Sequence, residues 1–291
     1  MRIVTRGAEL RGLSRRARQS GMSVGFVPTM GSLHEGHLSL IRRARREHHR
    51  IAVSVFVNPL QFGPKEDFAR YPRNEVSDVR LCRDAGCDWF FLPRLRSLYP
   101  AGFSTTVDPG PLGEIWEGAV RPGHFRGVAS IVLKLLNLVE PDALYLGQKD
   151  IQQARIVQSM ARDLDLPARV IVCPTVRERD GLALSSRNAY LSPAERGRAS
   201  GLIRAMREGR ELARSGATDA RRILARVRST LRLEARPDEV DYLALVDPAT
   251  LLPVTRVDRG GAFLIGAIRI GTTRLIDNLY FRARQSGRAR G

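Results

Sequence analysis

The stretch Phe26-Val27-Pro28-Thr29-Met30-Gly31-Ser32-Leu33-His34-Glu35-Gly36-His37 decides how the rest of the chain is read. An apolar run from Val24 to Val27 stops at a proline and a Thr-Met-Gly turn, and a His-x-Gly-His follows. The spacing of Leu38, Leu40, Ile41 and Ala44 then has helical period. A buried strand therefore ends, the chain reverses, and a helix starts with two histidines at its positive end. Free backbone N–H groups and the helix dipole at such a junction form an anion site, expected here over Met30 to His37. Imidazoles there add hydrogen bonds to a phosphate whose charge is rearranging. Zinc is a competing use of two histidines three apart, but no cysteine or third histidine is nearby. Ordinary surface histidines at a helix start are the other, and the strand–turn–helix setting weighs against them.

At 291 residues and 43% hydrophobic content the chain suits two folded domains. It has no apolar run of membrane-spanning length, and Met1 to Arg18 is too charged for a signal peptide. Cys82, Cys87 and Cys173 have no CxxC spacing and read as free thiols of a cytoplasmic protein. The formal charge is +18, and all but three of the 48 basic residues (Lys65, Lys134, Lys149) are arginine. These arginines are spread along helices rather than clustered or interleaved with aromatics. The charge therefore argues for attraction to phosphate-bearing small molecules rather than nucleic acid. The polar stretch from Arg282 to Gly291 reads as a frayed tail.

Working outward, Thr5–Ser20 has one apolar side and reads as a helix. Ile51–Val57 is a β-branched run of buried parallel-strand type. Glu75–Ala85 is helical in spacing and Asp88–Leu92 is a short strand. After an irregular, glycine- and proline-rich section, Val128–Val139 is an apolar helix, Ala143–Leu146 a strand, Ile151–Asp163 a helix and Arg169–Cys173 a strand. Strands alternating with helices imply right-handed crossovers and a Rossmann-like parallel sheet, the fold class being α/β. In such sheets ligands bind beyond the carboxyl ends of the strands. Met30–His37, Asn58–Gly63, Gly147–Asp150 and Val176–Arg187 each follow a strand, so they are expected to converge. Beyond residue 176 the texture changes: a helix from Pro193 to about Ser215, a second from Asp219 to about Leu233, then strands Val240–Val246 and Ala262–Ile270. The expectation is a Rossmann-like domain over 1–176 and a smaller α+β domain over 177–291.

Three further stretches carry chemistry. Gly147-Gln148-Lys149-Asp150-Ile151-Gln152-Gln153 sits at a strand-to-helix junction. There glycine admits a ligand, lysine supplies charge to phosphate and aspartate accepts from ribose hydroxyls. Gln153, one turn on, can face the same side; an ordinary helix start capped by Asp150 is the plain alternative. Leu184-Ser185-Ser186-Arg187-Asn188 offers two hydroxyls and a guanidinium suited to a leaving pyrophosphate, though as a bare Ser-Ser-Arg it equally fits a polar surface turn. Asn58-Pro59-Leu60-Gln61-Phe62 offers neutral amides that orient a hydroxylated anion, or is a plain Asn-Pro turn. In Arg121–Val128, His124 reads as a helix-start or interface histidine and Arg126 as a residue able to face phosphate. The cysteines, Trp89 and Trp116 read as packing.

Pro28-Thr-Met-Gly31, His34-x-Gly36-His37, Gly147-x-Lys149-Asp150-x-Gln152-Gln153, Ser185-Ser-Arg187 and Gly271-Thr-Thr-Arg274 occur in this order across almost the whole chain. They resemble the HIGH-type nucleotidyltransferases that include class I aminoacyl-tRNA synthetases and, more narrowly, the pantothenate synthetase family. The resemblance implies ligation of pantoate to β-alanine with ATP, through a pantoyl adenylate, by a cytoplasmic homodimer using Mg²⁺. It implies that His37, His34 and Lys149 are catalytic. The nucleotide is then bound by Met30, Gly31, Ser32, Leu33, His34, Glu35, Gly36, His37, Gly147, Gln148, Lys149, Asp150, Val176, Leu184, Ser185, Ser186 and Arg187. Gln61 and Gln153 then hold pantoate, with Gln61 near the β-alanine position. Many members carry Glu at the place of Gln148, so no role rests on that side chain. Tyr71-Pro72-Arg73 and Asp78 also match the family pattern, Asp78 near an acidic cluster in many members, but Glu75-Val-Ser-Asp78 argues against a metal role here, and no protein ligand of the metal is assigned. Two rivals remain: another HxGH nucleotidyltransferase acting on a phosphate ester, and a basic nucleic-acid-binding protein. A tRNA synthetase is disfavoured because nothing resembles an anticodon-binding domain.

Overall fold

Alternate residues along each strand of the first sheet point to opposite faces, and both faces are apolar. That is the condition for a sheet covered by helices on both sides. In the computed structural model, which describes residues 1–64 and 66–282, the elements of the first part run β1 (Arg2–Val4), α1 (Gly7–Gln19), β2 (Val24–Thr29), α2 (Glu35–Glu47), β3 (Arg50–Val55), α3 (Glu75–Asp84), β4 (Trp89–Phe91), α4 (Leu95–Leu98), α5 (Glu117–Val120), α6 (His124–Val139), β5 (Ala143–Gly147), α7 (Ile151–Asp163) and β6 (Arg169–Cys173). Six strands form one parallel sheet in the order β1-β4-β3-β2-β5-β6. Phe26, Ala52, Phe91 and Leu144 pack on one face with residues of α1, α6 and α7. Val27, Val53, Phe90 and Tyr145 pack on the other with residues of α2 and α3. The α/β class with a parallel sheet is the one the sequence indicates.

The strand order places a topological switch point between β2 and β5. The chain leaves β2 toward β3 and β4, then returns to the other side of β2 for β5. The carboxyl ends of these two strands release Met30–His37 and Gly147–Asp150, where the crossovers diverge and leave room for a ligand.

The chain divides into two units, Met1–Val176 and Arg177–Gly291. In the second, α8 (Pro193–Ala199), α9 (Gly201–Arg214) and α10 (Ala220–Glu234) precede β7 (Glu239–Val246), β8 (Ala262–Ile270) and β9 (Thr273–Phe281). The three strands form an antiparallel sheet with β8 central. Leu264 and Ile268 of β8 pack with Leu202, Met206, Ile223 and Val227 of the helices.

Several elements differ from the sequence expectation. Thr273–Phe281, to which the sequence expectation assigns no element, is the strand β9, and β1 is an additional edge strand. The first turn of α6 begins at His124 rather than Val128. The helix expected from Pro193 to Ser215 is broken at Ser200 into α8 and α9. Of the tail read as frayed, only Arg282 falls among the described residues.

Candidate active site

The turn between β2 and α2 is built on two consecutive left-handed residues, Gly31 (φ 87°) and Ser32 (φ 51°). A Cβ at residue 31 would lie 2.9 Å from Val55 Cγ1 and 3.0 Å from an Asp78 carboxylate oxygen, so only glycine fits. Asp78, 1% exposed on α3, holds the turn with both oxygens. Oδ2 accepts from Ser32 N–H at 2.9 Å and Oδ1 from Leu33 N–H at 2.8 Å. Burial pushes the Asp78 carboxyl up from its ordinary value, and the two amide donors pull it back.

The two histidines are the helix cap itself. His34 occupies the N-cap position with extended backbone, and its Nδ1 accepts from Gly36 N–H at 3.1 Å. His37 sits three residues on and its Nδ1 faces His34 N–H at 3.4 Å. The pair forms a capping box with imidazoles in the places usually held by Ser or Thr and Glu. Because each Nδ1 accepts, each neutral ring carries its proton on Nε2. The rings lie 4.1 Å apart, so two Nε2–H donors are fixed side by side. Burial lowers the His37 pKa to about 3, with His34 and Lys149 adding to the effect. Burial, then Lys149, lowers His34 to about 4, against a smaller opposing pull from Asp150. Both rings are thus neutral at pH 7 and donate hydrogen bonds rather than protons.

This changes one expectation. The backbone N–H groups anticipated as free anion donors are already engaged: Gly31 by Thr29 Oγ1, Ser32 and Leu33 by Asp78, His34 by His37 and Gly36 by His34. The donors left at this helix start include the side-chain Nε2–H groups, with Lys149 close enough to shift both histidines. The Lys149 ammonium is one-fifth exposed and lies 3.7 Å from the Asp150 carboxylate. Asp150 precedes α7 but makes no side-chain cap, so the plain N-cap reading does not apply. Glu35 is exposed and ion-paired with Arg42, while Gly147 and Gln148 are half-buried at the end of β5.

Asn58 and Gln61 form the neighbouring wall. Buried Asn58 donates to Gln61 Oε1 and to Gly127 O, both at 3.1 Å, and accepts from Tyr99 OH at 2.8 Å. Gln61 Nε2 reaches Met30 Sδ at 3.0 Å, which joins this loop to the HxGH turn. His124 donates Nδ1–H to Gln61 O at 2.8 Å and accepts from Arg121 at Nε2, consistent with burial lowering its pKa to about 4. Arg121 also pairs with Glu66 and Glu117. Sequence reasoning passed over Arg121 and assigned no working role to Asp78. The i,i+3 spacing of His34 and His37 signals the capping box, whereas only the folded chain brings Asp78 to residues 32 and 33. Arg126, expected to face phosphate, is 57% exposed and paired with Asp108. Gln153 is half-buried on α7. Its buried neighbour Gln152 bonds Leu112 O, Ile115 O and Glu117 N–H, ordering the irregular section.

In the second unit, Ser185 caps a single 3₁₀ turn, Ser186–Tyr190, its hydroxyl accepting from Arg187 N–H at 3.3 Å. Leu184, Ser185, Ser186 and Arg187 are all half-buried there, and Val176 is the last residue of the first unit. The cysteines are free and buried, as is Trp89, whereas Trp116 is only half-buried. No helix among the described residues is long and apolar enough to cross a membrane.

Comparison with known proteins agrees along nearly the whole length. The family model described as pantoate-beta-alanine ligase matches residues 2–280. A pantothenate synthetase from Rubrobacter xylanophilus is 51% identical over 278 residues, 93% of this chain and 95% of that protein. One from Chloroflexus aurantiacus is 50% identical over 266 residues, 91% of this chain and 94% of its own. The crystal structure of pantothenate synthetase from Thermus thermophilus superposes with a TM-score of 0.90 at 50% identity, covering 96% of this chain and 99% of that one. Pantoate-beta-alanine ligase from Francisella tularensis, crystallised with beta-gamma ATP and beta-alanine, has a TM-score of 0.79 at 32% identity, covering 96% and 97%. With a switch-point site of this construction and identity at this level over nearly its full length, the chain belongs to the pantoate–β-alanine ligase family.

Proposed function

We infer that this chain joins pantoate to β-alanine at the expense of ATP, releasing AMP and pyrophosphate. The observation that carries the reading is the pair of locked Nε2–H donors of His34 and His37 beside Lys149 at the β2/β5 switch point. Three donors that carry no proton-transfer burden suit a step in which charge moves between phosphate oxygens.

A free carboxylate does not exchange an oxygen for an amine, so activation comes first. The pantoate carboxylate oxygen attacks the α-phosphorus, and the bond to the bridging oxygen breaks. Pyrophosphate leaves with that electron pair. His34, His37 and Lys149 hydrogen-bond the phosphate oxygens whose charge grows in this transition state, and Gly147, Asp150 and the Val176 backbone hold the nucleoside. Ser185, Ser186 and Arg187 bind the β- and γ-phosphates. The β-alanine amine then attacks the acyl carbonyl of the adenylate. The acyl–oxygen bond breaks, AMP departs, and the amine proton goes to solvent or phosphate. Orientation and charge stabilisation supply the rate, with no covalent enzyme intermediate.

Gln61 and Gln153 hold pantoate. Asn58 accepts from Tyr99, which leaves its amide nitrogen to orient Gln61 Oε1, and Met30 takes a Gln61 N–H. Mg²⁺, if bound with the nucleotide, would share the charge of the β- and γ-phosphates beside Ser185, Ser186 and Arg187. Both Asp78 oxygens are committed to amides, so no cation-binding role is given to Asp78. The family resemblance, and for location the three unpaired cysteines, support a cytoplasmic homodimer. Product analysis by mass spectrometry tests the reading: ATP, pantoate and β-alanine yield pantothenate and AMP in equal amounts. ADP as the nucleotide product, or no amide, overturns it.

A further inference from the structure

We propose that Asp277 is a positioning residue for the Ser185–Arg187 turn, acting through a buried ion pair with Arg177; this rests on the reading that the turn binds the triphosphate. Asp277 lies on β9 and is 5% exposed. Arg177 donates Nη1–H to its Oδ2 at 2.6 Å and Nη2–H to its Oδ1 at 2.8 Å, a bidentate fork. The same guanidinium donates to Gly181 O at 3.1 Å and Asn278 O at 3.4 Å. The carboxylate also accepts from Asn278 N–H at 2.7 Å. One carboxylate on a sheet thus fixes a guanidinium, and the guanidinium fixes both ends of the tight reversal that begins at Arg177.

That reversal is the base of the turn. Arg177 and Ala183 form an antiparallel bridge, Glu178 N–H donates to Leu182 O at 2.8 Å, and Leu182 and Ala183 are buried. Asn188 closes the ring: its amide donates to Ala183 O at 3.1 Å and Glu178 Oε1 at 3.2 Å. Residues 184–187 are therefore strapped between Ala183 and Asn188. Arg196 of α8 braces the far side through Glu178 and Asp180. The path from Asp277 to the two hydroxyls consists of short polar links within one unit. A small rotation of Arg177 displaces the Ser185 and Ser186 hydroxyls from a β- or γ-phosphate without touching any pantoate contact.

The test uses the full chain with Arg177→Lys and Asp277→Asn. Lysine keeps the charge but cannot reproduce the fork or both carbonyl contacts. Misplacement of phosphate donors by a fraction of an ångström predicts an ATP KM raised about tenfold or more, with the pantoate KM within about twofold. Amide hydrogen exchange across residues 181–191 becomes faster in both variants. Should D277N fail to fold, judged by its thermal transition, R177K carries the test alone. An unchanged ATP KM in folded R177K, or equal losses toward ATP and pantoate, overturns the proposal. Ser186→Ala separates the two claims, since it removes a hydroxyl and leaves the ion pair. If S186A leaves the ATP KM unchanged while R177K speeds exchange, the phosphate reading fails and the strapping role stands.

Discussion

Replacing Gly127 by alanine should damage the proposed pantoate side of the site through backbone overlap alone. The α6 helix presses Gly127 against the Asn58–Gln61 turn so closely that an added Cβ would lie 2.2 Å from Leu60 O and 2.4 Å from Leu60 C, with Gln61 N at 2.7 Å. All three are main-chain atoms that no rotamer change removes. Restoring ordinary contact needs a retreat of about 1 Å. That retreat also stretches the 3.1 Å bond from Asn58 to Gly127 O beyond hydrogen-bond range. Overpacking of this kind costs about 1–3 kcal/mol and the lost buried bond about 1 kcal/mol more. The sum corresponds to a fall in Tm of roughly 5–15 °C for a unit of this size. Because Gln61 is carried on the displaced turn, kcat/KM for pantoate should fall by up to about 10²-fold. Thermal denaturation and steady-state kinetics with pantoate varied measure both effects. Gly197→Ala is the control, as its Cβ meets nothing within 4 Å. A G127A protein with the melting temperature and pantoate kinetics of the parent would refute the packing account.

Other perturbations address the donors directly. His37→Ala or Lys149→Ala should slow adenylation by about 2–4 kcal/mol, roughly 30- to 900-fold, in rapid-quench measurements; an unchanged burst rate rejects the assignment. Asp78→Ala leaves two turn amides without their acceptor and should cost about 1–3 kcal/mol for each buried donor left unpaired, read by chemical denaturation, with a parallel loss of adenylation. For pH, the lowered values of His34, His37 and His124 mean that the unfolded chain binds protons the folded chain excludes. Stability contributed by the neutral rings is therefore complete above the ordinary histidine value of about 6.5 and declines as pH falls toward about 4 for His34 and His124 and about 3 for His37. NMR titration of the ring protons checks this, and a His37 midpoint between about 6 and 7 contradicts it.

The parallel sheet was legible because its strands are largely apolar on both faces and their ends are marked by Gly31, Pro59 and Gly147, although β2 itself runs through Pro28 to Thr29. Short or disguised elements were not. β1 has three residues, too few for periodicity, and β9 hides behind the polar Gly271-Thr-Thr-Arg274, where antiparallel pairing with β8 overrides local composition. The break at Ser200 falls on Ser200-Gly201, weak helix formers that the apolar spacing on either side runs straight through. At the site, local chemistry was readable but partnership was not. The sequence identifies His34 and His37, yet the Asp78 carboxylate that consumes two turn amides is 45 and 46 residues away in sequence. Free backbone donors were thus expected where the fold had already paired them. Arg126 carried a charge suited to phosphate, but its helix turns it outward to Asp108.

Isotope exchange between labelled pyrophosphate and ATP, with β-alanine omitted, bears most directly on the central claim that this site makes an acyl adenylate. Exchange should appear when pantoate is added, be absent without it, and disappear in His37→Ala. Exchange that proceeds without pantoate, or that requires β-alanine before any label enters ATP, would contradict it.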